Sequence, residues 1–242
     1  MSLKNKTAII TGAGGGIGRA IANALADEGV KLVLLGGNNL EKLGETANEI
    51  TAKGGLCTVE AGDLTNDAVI LEAFNRAVEK LGGVDILINN AGIAHNTSVE
   101  NTSIEFFDRI MKINVRAPYL LTQKALPYLR KSNYATIVNI ASVVAHAGYP
   151  LQSAYTASKH ALLGFTKALA QEVYGDGIRV HAVSPGGVYT DMIKVSRPDL
   201  TGEGMIMPKD IADAVMFLIK NRSNAVIDEI IMHRVNKAPF LV

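Results

Sequence analysis

The chain has 242 residues, with 24 lysines and arginines against 23 aspartates and glutamates, so its formal net charge is +1. This near-neutral balance excludes the strong basic excess of dedicated nucleic-acid binders, and no nucleic-acid partner is expected. A content of 48% hydrophobic and 19% charged residues excludes an intrinsically disordered chain. Cys57 is the single cysteine, which excludes an intramolecular disulfide and a cysteine-based zinc site.

Signals for export or membrane insertion are not visible in the sequence. Residues 1–7 contain no apolar stretch of the secretory type, and no apolar run approaches the roughly 18–20 residues of a membrane span. No proline-rich linker or break in composition divides the chain. We therefore expect a cytoplasmic protein without a membrane partner, folded as a single domain over residues 1–242.

Short aliphatic runs alternate with longer amphipathic segments along the whole chain. Seven runs are predicted as strands: Ala8–Ile10, Lys31–Leu35, Leu56–Val59, Val84–Ile88, Ala135–Ile140, Ile178–Val183 and Ala225–Met232. Six segments are predicted as helices: 17–29, 39–53, 66–81, 103–131, 153–174 and 208–220. The strand runs are continuous rather than alternating, which is typical of strands covered on both faces. The pattern predicts an α/β fold, a doubly wound seven-stranded parallel sheet with helices on both faces.

A glycine-rich loop follows the first predicted strand and opens the first predicted helix. Its glycines are spaced Gly12-x-x-x-Gly16-x-Gly18, which is not the six-residue G-x-G-x-x-G pattern, and no P-loop lysine flanks it. Glycines allow a sharp turn and a close approach to a phosphate, and a helix N-terminus attracts an anion. The loop therefore predicts a dinucleotide site at the carboxyl end of the sheet.

The end of the second strand distinguishes between the two nicotinamide dinucleotides. A carboxylate about 20 residues after the glycine loop would bind the ribose 2′-hydroxyl of NAD, but this region reads Gly36-Gly37-Asn38-Asn39. An arginine for a 2′-phosphate is also missing here, although Arg19 and Lys42 are candidates to reach it. Because small residues leave room for the phosphate, we expect NADP to be preferred over NAD, with Asn38 at the site.

Tyr155 and Lys159 are four residues apart in a predicted helix, which places them on one helix face. A neighbouring ammonium favours the phenolate, so we expect Lys159 to lower the pKa of Tyr155 below its usual value of about 10. Ser142 follows a predicted strand, 13 positions before Tyr155. These three residues are candidates for acid–base chemistry on a carbonyl oxygen.

Taken together, these motifs resemble the short-chain dehydrogenase/reductase family, and they cover almost the whole chain in the order and spacing of that family. The matching residues are Thr11-Gly12-x-x-x-Gly16-x-Gly18, Asp63, Asn89-Asn90-Ala91-Gly92, Asn114, Ser142, Tyr155-x-x-x-Lys159, Pro185-Gly186 and Thr190. The resemblance implies a Rossmann domain that transfers a hydride between a nicotinamide and a carbonyl or secondary alcohol. Among members of the family, the sequence is most similar to 3-oxoacyl-acyl-carrier-protein reductases.

The resemblance also implies a role for each matching residue. Asn114, Ser142, Tyr155 and Lys159 correspond to the catalytic tetrad. The residues expected to bind the coenzyme are Gly12, Gly16, Ile17 and Gly18 at the pyrophosphate, Asp63 at the adenine, Asn90, Ala91 and Gly92 at the adenosine ribose, Tyr155 and Lys159, and Pro185, Gly186 and Thr190 near the nicotinamide. We expect Asn114 to hold a water that passes protons to Lys159. No catalytic metal is expected, because no histidine spacing matches a metal motif.

The substrate is less clearly encoded than the reaction. An acyl thioester on a carrier protein is the first expectation, and a polyol, a sugar alcohol or another small secondary alcohol is the alternative. Candidate substrate contacts lie in loops: His95, His146, Tyr149, Gln152, Tyr189 and Met192. Unlike many family members, the chain has no glycine after Gly204, so it lacks the usual glycine-rich C-terminal segment.

Surplus apolar residues in the predicted helices 103–131 and 153–174 suggest a subunit interface, although deeper burial in the domain explains them equally well. The family resemblance implies a homotetramer built on these two helices. A dinucleotide-binding regulator without catalysis remains a non-enzyme alternative, which the intact tetrad disfavours. A sugar-nucleotide epimerase usually has a longer C-terminal region. A serine hydrolase is excluded because no G-x-S-x-G motif occurs.

Overall fold

The structure, a computed structural model, describes residues 2–37, 39–191, 193 and 201–238. Seven strands form one parallel sheet in the order β3-β2-β1-β4-β5-β6-β7. The strands are β1 (Thr7–Thr11), β2 (Lys31–Gly36), β3 (Cys57–Ala61), β4 (Ile86–Asn89), β5 (Thr136–Ile140), β6 (Arg179–Pro185) and β7 (Glu229–Met232). The order reverses between β1 and β4, so a ligand crevice opens there at the carboxyl ends of the strands.

All seven predicted strands are present, and the predicted doubly wound Rossmann architecture is confirmed. The largest difference is at the last strand, which begins at Glu229 rather than at Ala225. Val226 and Ile227 are exposed, because this part of the chain crosses from the preceding helix to the sheet edge before pairing with β6 begins. Aliphatic composition alone does not distinguish such a crossing from a strand.

Helices cover both faces of the sheet. In the described residues they are α1 (Gly16–Asp27), α2 (Leu40–Ala52), α3 (Asp67–Leu81), α4 (Ile104–Met111), α5 (Ala117–Leu129), α6 (Ser153–Glu172) and α7 (Pro208–Lys220). The predicted single helix 103–131 is instead two helices, α4 and α5, joined by a π-helical turn over Lys112–Arg116. The turn brings one extra residue into the helix and is the kind of irregularity that often marks a functional site.

Local side-chain caps explain where several helices start. The Asn66 side chain accepts hydrogen bonds from Ala68 and Val69 at the start of α3, and the Ser103 side chain accepts one from Phe106 at the start of α4. Helix α1 is different, because its N-cap is Gly15, which makes no side-chain cap. The free backbone N–H groups of α1 therefore face the crevice without a competing side chain.

Alternate residues of each strand point into two separate cores. Ile10 and Ile88 lie in the core under α1, α2 and α7, whereas Ile9 and Leu87 lie in the core under α3, α5 and α6. Burial on both sides holds the central strands rigidly, so the residues at their carboxyl ends have fixed positions. None of the helices in the described ranges combines the length and the apolar character that a membrane crossing needs.

Candidate active site

The glycine loop after β1 is packed too closely for side chains at two of its glycines. A Cβ on Gly18 would lie 2.2 Å from the Gly12 carbonyl oxygen, and a Cβ on Gly12 would lie 2.9 Å from the Cα of Ala91. Gly12 and Gly16 have φ values of +68° and +50°, which glycine adopts without strain. The loop can therefore follow its course only with these glycines in place.

A cavity of about 380 Å³ opens beside this loop. Its lining includes Gly14, Gly15 and Gly16, the cations Arg19 and Lys42, the acids Glu45 and Asp191, and Thr190. The uncapped N-terminus of α1 lies beside this space, so its N–H groups and helix dipole favour an anionic group here. This combination of small residues and unpaired donors fits the pyrophosphate of a dinucleotide. Ile17 is half-buried and packs against the core under α1.

Residues after β4 hold the glycine loop from the other side. The Thr11 hydroxyl accepts hydrogen bonds from the Asn90 and Ala91 backbone N–H groups, each at 2.9 Å. The Asn90 side-chain amide donates to the carbonyl oxygens of Thr11 (2.9 Å) and Gly12 (3.2 Å). The side-chain amide group of Asn90 therefore donates to the glycine loop, and the side-chain oxygen of Asn90 is the atom available to accept from a ribose hydroxyl.

Asp63, predicted at the adenine, follows β3 and has an exposed side chain. Its Oδ1 accepts from the Thr65 backbone N–H at 2.9 Å and from the Thr65 hydroxyl at 2.8 Å. These hydrogen bonds, the backbone one first, lower the pKa of Asp63. The carboxylate is therefore ionised at neutral pH and able to accept from an amino group at Oδ2.

The two cations expected near a 2′-phosphate already have acidic partners. Arg19 is bonded through its guanidinium to Glu49 and Glu45, and the Lys42 ammonium lies 3.0 Å from Asp191. Asn38 lies outside the described residues, but the neighbouring Gly37 has open space where a side chain would project. The end of β2 thus offers room rather than a ready cationic pocket.

The second side of the crevice is built from buried side chains. Lys159 is 4% exposed, and its ammonium donates to the Ile140 carbonyl oxygen at 2.7 Å and lies 5.7 Å from the ring centroid of Tyr155. The Ser142 hydroxyl is hydrogen-bonded to Tyr155 and donates to the Pro185 carbonyl oxygen at 3.3 Å. The structure therefore brings the predicted serine, tyrosine and lysine into one cluster at the ends of β5 and β6.

Burial, rather than the lysine charge, governs the acidity of Tyr155. It raises the pKa of the Tyr155 hydroxyl, and the hydrogen bond with Ser142 acts in the opposite direction without reversing this. The same burial lowers the pKa of Lys159 to about 8. In this structure the expectation that Lys159 lowers the Tyr155 pKa is wrong, because desolvation disfavours both the phenolate and the ammonium. At neutral pH the phenol is protonated, so it is able to donate a proton.

Asn114 lies inside the π-helical turn and is fully buried. Its side-chain amide donates to the Ile93 carbonyl oxygen (2.9 Å) and to the Ser158 hydroxyl (3.0 Å), and its oxygen accepts from the Ile93 N–H (2.9 Å). The Ser158 hydroxyl in turn donates to the Tyr155 carbonyl oxygen at 2.7 Å. The side chain of Asn114 therefore joins the loop after β4 to the helix that carries Tyr155. The predicted role of Asn114 in holding a water stays a prediction.

Gly92 lies between Asn114 and Lys159. A Cβ on Gly92 would be 3.4 Å from the Asn114 side-chain oxygen and 3.6 Å from the Lys159 nitrogen. The lysine carries three N–H groups, and the structure shows one of them donating to Ile140. In the described part of the chain Lys159 has no ion-pair partner. The remaining donors fit a ligand rich in hydroxyl groups, such as the nicotinamide ribose.

The chain after β6 closes the crevice from below. The Gly186 N–H donates to the Met232 carbonyl oxygen at 2.8 Å, and a Cβ on Gly16 would lie 3.0 Å from Thr190. Although the C-terminal segment lacks glycines, Asn236 lies within 2.9 Å of where a Gly204 side chain would start. Arg234, also in the C-terminal segment, lies 3.6 Å from where a Gly187 side chain would start, so this segment packs against glycines elsewhere in the chain.

Comparison with known proteins agrees with this geometry. Residues 6–201 match the family model described as short chain dehydrogenase. The chain is 38% identical over 232 residues to a 3-oxoacyl-(acyl-carrier-protein) reductase of Rickettsia bellii, with 93% of each chain covered. The chain belongs to the short-chain dehydrogenase/reductase family. It is therefore an oxidoreductase of the class that acts on CH–OH groups.

Two solved structures show the coenzymes bound by short-chain dehydrogenases of the same fold. A 3-ketoacyl-(acyl-carrier-protein) reductase from Brucella melitensis, complexed with NADH, superimposes with a TM-score of 0.85 at 33% identity and covers 96% of this chain and 97% of its own. A short chain dehydrogenase from Burkholderia cenocepacia, in complex with NADP, superimposes with a TM-score of 0.86 at 29% identity, with the same shares covered. These likenesses, with the glycine cradle, support a nicotinamide coenzyme for this family member.

Sequence reasoning missed some residues that hold this short-chain dehydrogenase site together. Ser158 was not singled out, although its position three residues after Tyr155 places it on the same helix face. Glu229, an acid in an otherwise apolar strand, contacts His146 in the turn after Ser142. Of the other loop candidates for substrate contact, His95 is stacked against Phe106, and Met192 lies outside the described residues.

Proposed function

We propose that this dehydrogenase reduces a 3-oxoacyl thioester, carried on an acyl carrier protein, to the 3-hydroxyacyl thioester with NADPH. The observation that carries the proposal is the buried Tyr155 phenol beside Ser142 at the crevice, where burial raises the pKa of the phenol. A protonated phenol donates to an oxygen that gains negative charge, which is what carbonyl reduction requires. Similarity to 3-oxoacyl-(acyl-carrier-protein) reductases over 93% of their length supports the choice of substrate.

The proposed roles follow from the contacts of each residue. When bound, the nicotinamide supplies a hydride to the carbonyl carbon of the substrate. Ser142 donates a hydrogen bond to the substrate oxygen, in place of the bond it makes to Pro185. Tyr155 transfers its proton to the same oxygen, so that the carbonyl gains one hydride and one proton and becomes a secondary alcohol. Positive charge from Lys159, when protonated, stabilises the phenolate that remains.

Coenzyme binding is assigned to both sides of the crevice. On the first side, Gly12, Gly16 and Gly18, with the N-terminus of α1, hold the pyrophosphate. On the second side, Lys159 binds the nicotinamide ribose. The remaining contacts are assigned to Ile17, Asp63, Asn90, Ala91, Gly92, Pro185, Gly186 and Thr190. Ile17 belongs to the glycine loop and the start of α1, and the others lie at or after the carboxyl ends of β3, β4 and β6.

The preference for NADPH rests on space and on Lys42. A 2′-phosphate meets no carboxylate at Gly36 and Gly37, and Lys42 lines the neighbouring cavity. The ion pair between Lys42 and Asp191 is exposed, and such pairs contribute only about 0–1 kcal/mol, so a phosphate can replace the carboxylate. Arg19 is less available, because two glutamates hold its guanidinium.

A direct assay tests the substrate assignment. Oxidation of NADPH by the purified full chain is followed with a 3-oxoacyl thioester on acyl carrier protein, and reduction of NADP with a panel of polyols and sugar alcohols. We expect the larger kcat/KM for the thioester. A larger value for an alcohol of the panel would contradict the proposal in favour of a polyol dehydrogenase, and coenzyme binding without transfer to any compound would favour a regulator.

Fluorescence of the reduced coenzyme itself measures its binding, because the chain has no tryptophan to interfere. We expect NADPH to bind on the order of tenfold more tightly than NADH, which corresponds to about 1.4 kcal/mol. The variant Lys42→Ala weakens NADPH binding and leaves NADH binding unchanged. Equal affinities for the two coenzymes in the unaltered protein would contradict the preference.

We propose a homotetramer in the cytoplasm, with the whole chain acting as one domain. Tyr119 on α5 is 55% exposed, and its ring lies in a tilted contact with the ring of Phe165 on α6, at 5.0 Å between centroids. The neighbouring Leu121, Leu162 and Leu163 are buried in the chain itself, so this aromatic pair is the part of the predicted interface that stays available. Sedimentation of the purified protein tests the assembly, and a monomer would contradict it.

A further inference from the structure

An acidic side chain on the edge strand β7 joins three segments behind the active site. Glu229 is 17% exposed, and its Oε1 lies 2.7 Å from Nε2 of His146. The same oxygen accepts a hydrogen bond from the Ser184 hydroxyl on β6. Because a carboxylate only accepts hydrogen bonds, the His146 Nε2 carries the hydrogen in this arrangement.

His146 and Ser142 are the two ends of one short 3-10 turn, Val143–Ala145. The Ala145 N–H donates to the Ser142 carbonyl oxygen at 2.9 Å, and the His146 N–H donates to the Val143 carbonyl oxygen at 3.0 Å. These backbone bonds couple the two ends, so a movement of His146 also displaces Ser142. The turn therefore moves as one unit, with the catalytic hydroxyl of Ser142 at one end.

Both ends of this turn are connected to neighbouring residues of β6, Ser142 directly and His146 through Glu229. The Ser142 hydroxyl donates to the carbonyl oxygen of Pro185, and Ser184, the residue before it, shares the Glu229 carboxylate with His146. Once Ser142 turns its hydrogen toward a substrate oxygen, its own bond to β6 is given up. Glu229 and His146 then provide the side-chain connection that still holds the turn to the sheet.

We propose that Glu229 and His146 are positioning residues that fix the turn carrying Ser142 while its hydroxyl serves the substrate. The inference rests on the proposed function, in which Ser142 donates to the reacting oxygen. A hydroxyl displaced by about 1 Å loses on the order of 100-fold in rate. The effect of Glu229 therefore appears in turnover and passes through Ser142, because among the described residues Glu229 contacts none of those assigned to the coenzyme and the glycine loop lies on the other side of the crevice.

The test is a double-mutant cycle between Glu229 and Ser142 in the full chain, with kcat, KM and coenzyme affinity measured for every variant. We expect Glu229→Ala to lower kcat roughly 10- to 100-fold with coenzyme affinity unchanged. In a Ser142→Ala background the same change has less than about a twofold further effect. Glu229→Gln recovers most of the lost turnover, because its amide oxygen still accepts from both His146 and Ser184.

A second pair of variants covers the case in which Glu229→Ala fails to fold. His146→Phe fills the same space without the hydrogen-bond donor and lowers kcat, whereas His146→Gln keeps a donor and recovers part of it. Unchanged kcat in both Glu229→Ala and His146→Phe would overturn the inference, and so would an equal loss with and without Ser142. If Ser142→Ala itself leaves kcat unchanged, the proposed role of Ser142 fails and the inference fails with it.

Discussion

The two sides of the crevice present different chemical groups, backbone on one side and side chains on the other. On the side of β1 and α1 the site is backbone: glycines, N–H groups and a helix start without a side-chain cap. On the side of β5 and α6 it is side chains: a hydroxyl, a phenol and an amine, with Ser142 and Lys159 almost fully buried. The first side binds a ligand through its shape and the helix dipole. The second side carries groups that donate and accept protons.

This contrast predicts that substitutions on the two sides fail in different ways. An added methyl on the glycine side collides with backbone and weakens binding, because Cβ atoms have no room there. A changed functional group on the α6 side leaves the cavity beside the glycine loop intact and removes chemistry. Binding and turnover are therefore separable in this enzyme, and three experiments probe the separation.

The largest expected effect is on turnover in Tyr155→Phe. Loss of the proton donor lowers kcat roughly 1,000-fold, within the range for general acid–base groups, while coenzyme affinity changes less than about threefold. Tyr174→Phe is the matched control, since Tyr174 is 83% exposed and lies outside the crevice. Steady-state kinetics and coenzyme titration measure the two quantities. Turnover within tenfold of the unaltered enzyme would remove the contrast between the two sides.

The next effect is on stability and its pH dependence in Lys159→Met. Burial lowers the Lys159 pKa to about 8 from 10.5, so the folded chain binds fewer protons than the unfolded chain between these pH values. The free energy of unfolding of the unaltered protein therefore rises from pH 8 to pH 10.5. Methionine avoids the buried charge, and a pKa shift from 10.5 to about 8 corresponds to about 3 kcal/mol, so we expect the variant to be more stable by about this amount at pH 7. This difference disappears near pH 10.5.

Urea unfolding over this pH range measures the difference between the two proteins. Lys167→Met is the control, because Lys167 is on the same helix but exposed. We expect the stability of this variant to follow that of the unaltered protein at every pH. Equal free energies of unfolding for Lys159→Met and the unaltered protein at pH 7 would show that burial of the lysine does not destabilise the fold. The variant is expected to be inactive, which turnover measurements establish separately.

The smallest expected effect concerns Gly18→Ala on the backbone side. The new methyl would meet the Gly12 carbonyl oxygen at 2.2 Å, so the loop shifts. We expect coenzyme affinity to fall about tenfold or more and stability to fall by about 1–3 kcal/mol. Gly44→Ala is the control, since that position in α2 has open space and should keep its affinity. A variant with weaker turnover but normal coenzyme binding would contradict the assignment of this side.

Much of the architecture could be predicted from sequence, because it depends on patterns that are local. Continuous aliphatic runs identified the seven strands, and the spacing of Gly12, Gly16 and Gly18 located the loop after β1. The spacing of Tyr155 and Lys159 placed both on one face of α6, where the structure has them. These features follow from helical and strand periodicity, which nearby residues are sufficient to define.

Three other features depend on contacts between distant residues and were missed. The π-helical turn in the predicted helix 103–131 contains Asn114, whose partners Ile93 and Ser158 are 21 and 44 positions away. The ion pair between Arg19 and Glu49 depends on how α1 packs on α2. The link from Glu229 to the turn after Ser142 spans 83 positions. Periodicity along one segment carries no information about such partners.

The sequence by itself determined which chemical groups this dehydrogenase has and which strand end each of them follows. Only the tertiary structure decided the direction in which the pKa values of those groups shift. Burial raises the pKa of Tyr155 and lowers the pKa of Lys159 to about 8, and for the tyrosine this is opposite to the direction that the spacing alone suggests. The reason is that the loss of hydration depends on everything packed around a group, and not only on its neighbour along a helix.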